Sequence, residues 1–123
     1  MNNNNARLEE MVEYLDVEVP HYLEDGVKDV KPIDDFEYDL GEGLVAKTRV
    51  YEVQLDSGKR VFAVEGGFTD SIKNVYGQEL PDAETASKVH LYMVAVTICR
   101  LRGEDLKEIA DYLELPEQFR RTD

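Results

Sequence analysis

Polar and apolar positions along the chain fall into blocks of different period. Leu8, Met11, Val12 and Leu15 recur at i, i+3, i+4 and i+7. That spacing predicts an amphipathic helix with one apolar stripe. Asn5 is placed to cap it, and Glu9, Glu10 and Glu13 lie on its outer side, the first two near the positive end of the helix dipole. Pro20 is expected to stop this helix or open a short turn over His21–Asp25, closed by Gly26, and residues 27–34 read as a loop around Pro32. From Asp35 the period becomes two. Phe36, Tyr38 and Leu40 alternate with Asp35, Glu37 and Asp39, which describes a half-buried strand with one apolar and one acidic face. Gly41–Glu42–Gly43 is a turn. Leu44–Leu55 and Arg60–Glu65 are strands, joined by the hairpin residues Asp56, Ser57, Gly58 and Lys59. Alternation in Leu44–Leu55 is imperfect, and a bulge or a strong twist is expected there.

Beyond the sheet, which Gly66–Gly67 is expected to end, the helical period returns. Thr69 is placed to cap a short helix carrying Ile72, Val75 and Tyr76, with Gly77 as its stop. Asp82 caps the longest helix, Ala83 to Arg102, whose middle is apolar on nearly every side. Such a helix is a central one, packed by the sheet on one side and by helices elsewhere. Gly103 breaks it, and a last amphipathic helix, Glu104–Glu114, presents Leu106, Ile109, Ala110 and Leu113 before Pro116. The predicted fold class is α+β: a three-stranded antiparallel meander packed on a long central helix with flanking short amphipathic helices. Residues 1–5, Met1 and four asparagines, form a disordered tip to a single domain of residues 6–123.

Charge changes the picture more than composition does. The 123 residues hold 27 Asp plus Glu against 14 Lys plus Arg, a net charge of -13. Residues 1–43 carry 13 acids and three bases, residues 44–80 five of each, and residues 81–123 nine acids and six bases. Most of the imbalance therefore sits in the first third. A charge so acidic argues against direct nucleic-acid binding, because binding phosphate requires a basic face. One cysteine, Cys99, excludes an internal disulfide. The start has no basic region followed by an apolar stretch, and the longest apolar run, Leu91–Cys99, is far short of the roughly 20 residues of a membrane helix. A cytoplasmic protein, in its own cell or an infected host cell, with a reduced and buried Cys99, is the expectation.

No catalytic or metal constellation emerges. His90 and Cys99 lie nine residues apart on one predicted helix, hence on opposite sides of it. Two histidines and one cysteine give no zinc spacing. Asp34–Asp39 begins like a calcium loop but has Asp39 where the central glycine belongs. Gly66–Gly67, between a strand and a helix start, is flanked by Glu65 and Asp70, the wrong charge for a phosphate cradle. Gly103–Leu113 resembles the first helix of a helix-turn-helix, without a recognition helix after it. No enzymatic site, metal or cofactor is predicted.

The acidic strand remains. Its outward carboxylates are about 6.6 Å apart and repel by about 0.6 kcal/mol per adjacent pair in water. Residues 32–46 contain no Lys or Arg to answer them. The candidate partner-binding residues are therefore Asp34, Asp35, Glu37, Asp39 and Glu42, widened by Glu9, Glu10 and Glu13. A row of anions imitates in part the phosphates that nucleic-acid-binding proteins recognise. The expectation is a non-enzymatic protein that docks on and blocks a basic, nucleic-acid-binding protein surface, as small nuclease inhibitors, phage blockers of bacterial defence and toxin-immunity proteins do. One alternative is a regulatory subunit or homodimer that uses the apolar face of the C-terminal helix, with Tyr14 and Tyr112 as anchors and the acids serving solubility. Another is a small-ligand-binding domain or enzyme whose pocket sequence does not reveal, with His90, Tyr92 or Glu65 as lining.

Overall fold

A computed structural model describes residues 3–68, 72–76 and 80–120. Among them the order is helix α1 (Asn3–Leu23), strands β1 (Val27–Asp39), β2 (Val45–Leu55), β3 (Arg60–Gly67) and β4 (Lys73–Tyr76), then helices α2 (Ala83–Thr97) and α3 (Glu104–Tyr112) and a 3-10 turn at Glu117–Phe119. The fold is α+β, with one antiparallel sheet in the order β1-β2-β3-β4. The sheet forms the middle layer. Helix α1 covers one face through Met11, Leu15 and Val19 against Val30, Tyr51, Val53, Leu55, Val61 and Ala63. Helix α2 covers the other, where Ala86 packs on Val50 and Val64 and Leu91 packs on Ala46. Its far side carries α3 through Val89, Tyr92, Leu106 and Ala110, so a helix apolar all round is indeed enclosed.

Strand β2 alternates without interruption and serves both cores. Ala46, Thr48 and Val50 turn toward α2, and Tyr51, Val53 and Leu55 toward α1. The expected bulge lies instead in β1, whose register against β2 slips between Val27 and Asp29 and again between Pro32 and Asp34. The second slip has a clear effect. Before it, Val30 faces α1. After it, Phe36 and Tyr38, also even-numbered, pack on the α2 side, and Asp35, Glu37 and Asp39 come round to the α1 side.

Several expectations need correction. Residues 27–34 are not a loop: they form the first part of β1, and the two bulges with Pro32 erase the period that would have marked them. Pro32 is tolerated because β1 is an edge strand. The meander has four strands, because Lys73–Tyr76 pairs with Glu65–Phe62 rather than forming a helix. The expected Thr69 cap and Gly77 stop, like Met1 and Asn2 of the tip, lie outside the described residues, whereas Asn3–Asn5, expected in the disordered tip with Asn5 as cap, belong to α1. Gly66 and Gly67 do not end the sheet but belong to β3. Helix α2 ends at Thr97 rather than Arg102. Its last turn closes through Ile98 N–H to Val94 O at 2.8 Å and Leu101 N–H to Ala95 O at 3.1 Å, with Arg100 at φ 56°.

Other signals hold. Asp82 accepts a 2.8 Å bond from the Thr85 N–H and caps α2. The Asp56–Lys59 hairpin forms, with Gly58 at φ 91°. Pro20, by contrast, neither stops α1 nor opens a separate turn: it lies inside the last turn of the helix, which runs on to Leu23 before Glu24, at φ 53°, donates to Pro20 O at 3.1 Å.

Among the described residues one buried polar side-chain atom is orphaned. Thr48 is 3% exposed, and its Oγ1 has no hydrogen-bond partner among the described residues. An unpaired buried hydroxyl is unfavourable by about 1–3 kcal/mol, and valine has the same shape without it. Thr48→Val is therefore expected to stabilise the protein by about 1 kcal/mol, read as a higher urea midpoint at unchanged slope.

Candidate functional site

The α1-facing side of the sheet carries a ladder of charge. Asp35 pairs in register with Arg49, Arg49 with Glu65, and Glu65 with Lys73, so the sign alternates across all four strands. Opposite charges directly across a ladder attract, and this row places them so at every step. Arg49 donates from Nε to Asp35 Oδ1 at 2.7 Å and from Nη2 to Oδ2 at 3.1 Å, a two-point fork. That fork holds the Asp35 carboxyl below its ordinary range and raises the guanidinium of Arg49. Glu65 is only 7% exposed and accepts from the Tyr51 hydroxyl. Burial, and then the bond to Glu65, push the Tyr51 phenol up.

Helix α1 closes the ladder from above. Arg7 Nη1 lies 3.8 Å from Glu65 Oε1, and Glu10 Oε1 lies 3.5 Å from Lys73 Nζ. Lys73 also lies 5.7 Å over the Tyr14 ring, and the Tyr14 hydroxyl donates to its carbonyl at 3.1 Å. Tyr14 is thereby committed within the chain.

Beyond the ladder the described residues leave part of the sheet face uncovered. A groove of ≈ 390 Å³ lies there, lined by Arg7, Asp35, Glu37, Lys47, Arg49 and Glu65 together with Phe36, Thr48 and Gly66. Its next rung pairs Glu37 with Lys47 and Lys47 with Gly67.

The eight predicted carboxylates fare differently. Asp35, Glu37 and Asp39 share one face, as their alternation requires, but Asp35 is consumed by Arg49. The cations missing from residues 32–46 thus arrive from the next strand, just past that window. Asp34 is in register with Val50 and lies on the opposite side, where it accepts from the Asp35 N–H at 2.9 Å. Asp39 accepts from Gly41 N–H at 3.0 Å and so shapes the turn that carries Glu42. Asp34, Glu37, Asp39 and Glu42 are exposed and form no ion pair among the described residues. At about 100° per residue Glu9, Glu10 and Glu13 fall within one arc of about 100° on the outer side of α1, all exposed, and of the three only Glu10 forms an ion pair among the described residues, with Lys73.

The remaining candidates separate cleanly. His90 is fully buried, with Nε2 3.0 Å from Gly66 O and Nδ1 2.9 Å from the Tyr76 hydroxyl. A carbonyl only accepts, so Nε2 carries the proton and Nδ1 accepts from Tyr76. Cys99, expected to be buried, is exposed, because α2 stops at Thr97 and leaves it in the turn beyond. Of the residues named as possible pocket lining, Glu65 lines the groove, whereas His90 and Tyr92 are core. Leu106, Ala110 and Leu113, the face a dimer through the last helix would use, are buried against α2 and the sheet. Tyr112 stays 54% exposed. The sequence reading missed Lys47, Arg49 and Arg7. Their signal was the neutral balance of residues 44–80, where bases sit one strand away from the acids they meet.

Among the described residues no group of three His, Cys, Asp or Glu is placed to hold a metal ion, and no helix is long and apolar enough to cross a membrane. Comparison with family models, curated proteins and solved structures yields no match.

Proposed function

We propose that the protein is a non-enzymatic binding protein that docks on, and occludes, a basic nucleic-acid-binding surface of another protein. One observation carries this reading: Glu37, Asp39 and Glu42 run along the end of β1 into its turn, exposed and without ion pairs among the described residues. Asp34 extends the row on the opposite side of the strand, and Glu9 and Glu13 add to the surrounding field. Asp35 and Glu10 drop out of the docking set, since each already has a cation. The net charge of -13 steers a cationic partner at long range, while the unpaired row gives it a place to land.

The test is capture from lysate on the immobilised protein across a salt series, with the retained proteins identified and competed by duplex DNA. Basic nucleic-acid-binding proteins should be retained at low salt and released by DNA. The double reversal Glu37→Lys with Asp39→Lys should weaken capture at least about tenfold, or about 1.4 kcal/mol, with an unchanged circular dichroism spectrum. Glu10→Lys, at an acid already paired with Lys73, should leave capture unchanged. Retention indifferent to salt, to DNA and to the double reversal would overturn the reading.

A further inference from the structure

The groove beyond the charge ladder has a hydrogen-bonding inventory that docking does not use. Asp35 spends both carboxylate oxygens on Arg49. Glu65 spends Oε1 on Tyr51 and Arg7, and its Oε2 has no partner among the described residues. Lys47 and Glu37 are in register across β1 and β2, yet neither forms an ion pair among the described residues. The internal pairings thus leave Lys47 and Glu37 without an ion pair among the described residues, and leave spare hydrogen-bonding capacity on two groups that already meet at 3.8 Å, the mostly exposed Arg7 and the second oxygen of Glu65. All four line one groove. Past Glu65, β3 continues as Gly66–Gly67, which has no side chain to fill the space.

We propose that this groove binds a small zwitterion, a single molecule that carries both an ammonium and a carboxylate, as a free α-amino acid or a short peptide does. The carboxylate sits at Lys47 and Arg7 and the ammonium at Glu37 and Glu65. The charge balance selects this class. A phosphate or dicarboxylate would meet Lys47 and Arg7 but would set its second charge against Glu37 and the buried Glu65. A diamine would meet the carboxylates and face two cations. Like-charge juxtaposition is strongly unfavourable in a site partly shielded from water, so only a ligand with both signs satisfies all four groups. The volume of ≈ 390 Å³ falls at the small end of ligand sites. This site is separate from the docking row except at Glu37, and Lys47 distinguishes the two.

The experiment is a titration of the ¹⁵N-labelled protein, followed by amide resonances. Its probes are the L-amino acids, glycyl dipeptides, their N-acetyl and methyl-ester forms, and inorganic phosphate. At least one zwitterion at millimolar concentration should give saturable shifts clustered at Lys47, Gly66 and Gly67. Blocking either its amine or its carboxyl should weaken binding at least about tenfold. Lys47→Met, a change at an exposed strand position, should do the same while capture of a basic partner is retained. The amino-acid and dipeptide arms identify which source of the shared chemistry fits. No saturable shift with any zwitterion would overturn the proposal. So would blocked forms or phosphate binding equally well, or Lys47→Met binding as tightly as the unmodified chain.

Discussion

Taking the protein from about pH 8 to about pH 5 is expected to remove about 2 kcal/mol of folding stability, with His90 as the main source. The imidazole is fully buried, its Nε2–H donates to Gly66 O, and its Nδ1 accepts from Tyr76. Burial pushes it from the ordinary 6.5 down to about 4, against a smaller opposing pull from the Gly66 carbonyl. The unfolded chain therefore takes up a proton at a pH where the folded chain does not. Acid then favours the unfolded state, and stability is full above pH 6.5 and drains away between 6.5 and 4. A protonated ring would need an acceptor at Nδ1, where Tyr76 now donates, and would bring a charge into an enclosed site. At about 1.4 kcal/mol per pKa unit the whole effect is about 3 kcal/mol, most of it spent by pH 5.

Other groups act elsewhere or in the opposite direction. Asp35, held below its ordinary 3.8 chiefly by the hydrogen bonds from Arg49, contributes stability that is present above that value and lost only as pH falls further. Repulsion among the acids weakens as they protonate, which works against the histidine. The informative comparison is therefore with His90→Gln, whose amide can still donate toward Gly66 and does not titrate. Urea unfolding at several pH values should show a stability that falls between pH 7.5 and 5 in the parent. The variant should be less stable at pH 7.5, with a nearly level profile. Parallel profiles would mean that the imidazole is not held neutral by its surroundings.

Where an element has one clean period, the sequence spoke plainly. The stripe from Leu8 to Leu15, the Asp82 cap, the Asp56–Lys59 hairpin and the alternation from Asp35 to Leu40 all appear as their residue types require. It was silent where two local structures share one pattern. Ile72, Val75 and Tyr76 satisfy a helical spacing, yet four residues are too few for period to decide. The available edge of β3 decides instead. In β1 each bulge shifts the phase by one residue, so no single period spans Val27–Asp39 and its first half resembles a loop. The site follows the same logic. That Asp35, Glu37 and Asp39 share a face is a local property, legible in three alternate letters. That Arg49 answers Asp35, and that Glu65 stands between Arg49 and Lys73, depends on registers set by two turns and a bulge. Counting bases only in residues 32–46 therefore overstated how bare the acidic row is.

Replacing Gly66 with alanine is expected to be the most damaging glycine-to-alanine change among the described residues. Gly66 lies within β3 at φ 107°, a conformation that L side chains rarely adopt. A Cβ there would stand 2.2 Å from the Lys47 carbonyl oxygen and 3.2 Å from both the Lys47 carbonyl carbon and Thr48 Cα. These are backbone atoms of the central strand β2, in register with β3, and no rotamer change moves them aside. Relief would require β3 to lift away from β2 at the Thr48–Gly66 pair. That movement would also disturb the Gly66 N–H bond to Ile72 O at 2.9 Å and the carbonyl that holds His90. Strain of about 1–3 kcal/mol for the backbone conformation adds to about 1–3 kcal/mol for the forced contact, so a loss of about 2–6 kcal/mol is expected. Gly67 supplies the control. Its φ is 108°, but an added Cβ meets only Val94 side-chain carbons at 3.5–3.7 Å, so Gly67→Ala carries the conformational strain without the clash. Urea unfolding should therefore rank Gly66→Ala well below Gly67→Ala, and the acid-dependent loss assigned to His90 should persist or grow in Gly66→Ala, because the carbonyl that partly offsets the effect of burial on the imidazole has shifted. Equal stabilities for the two variants would show that β2 and β3 do not approach each other at this pair, and the register that builds the charge ladder would fall with it.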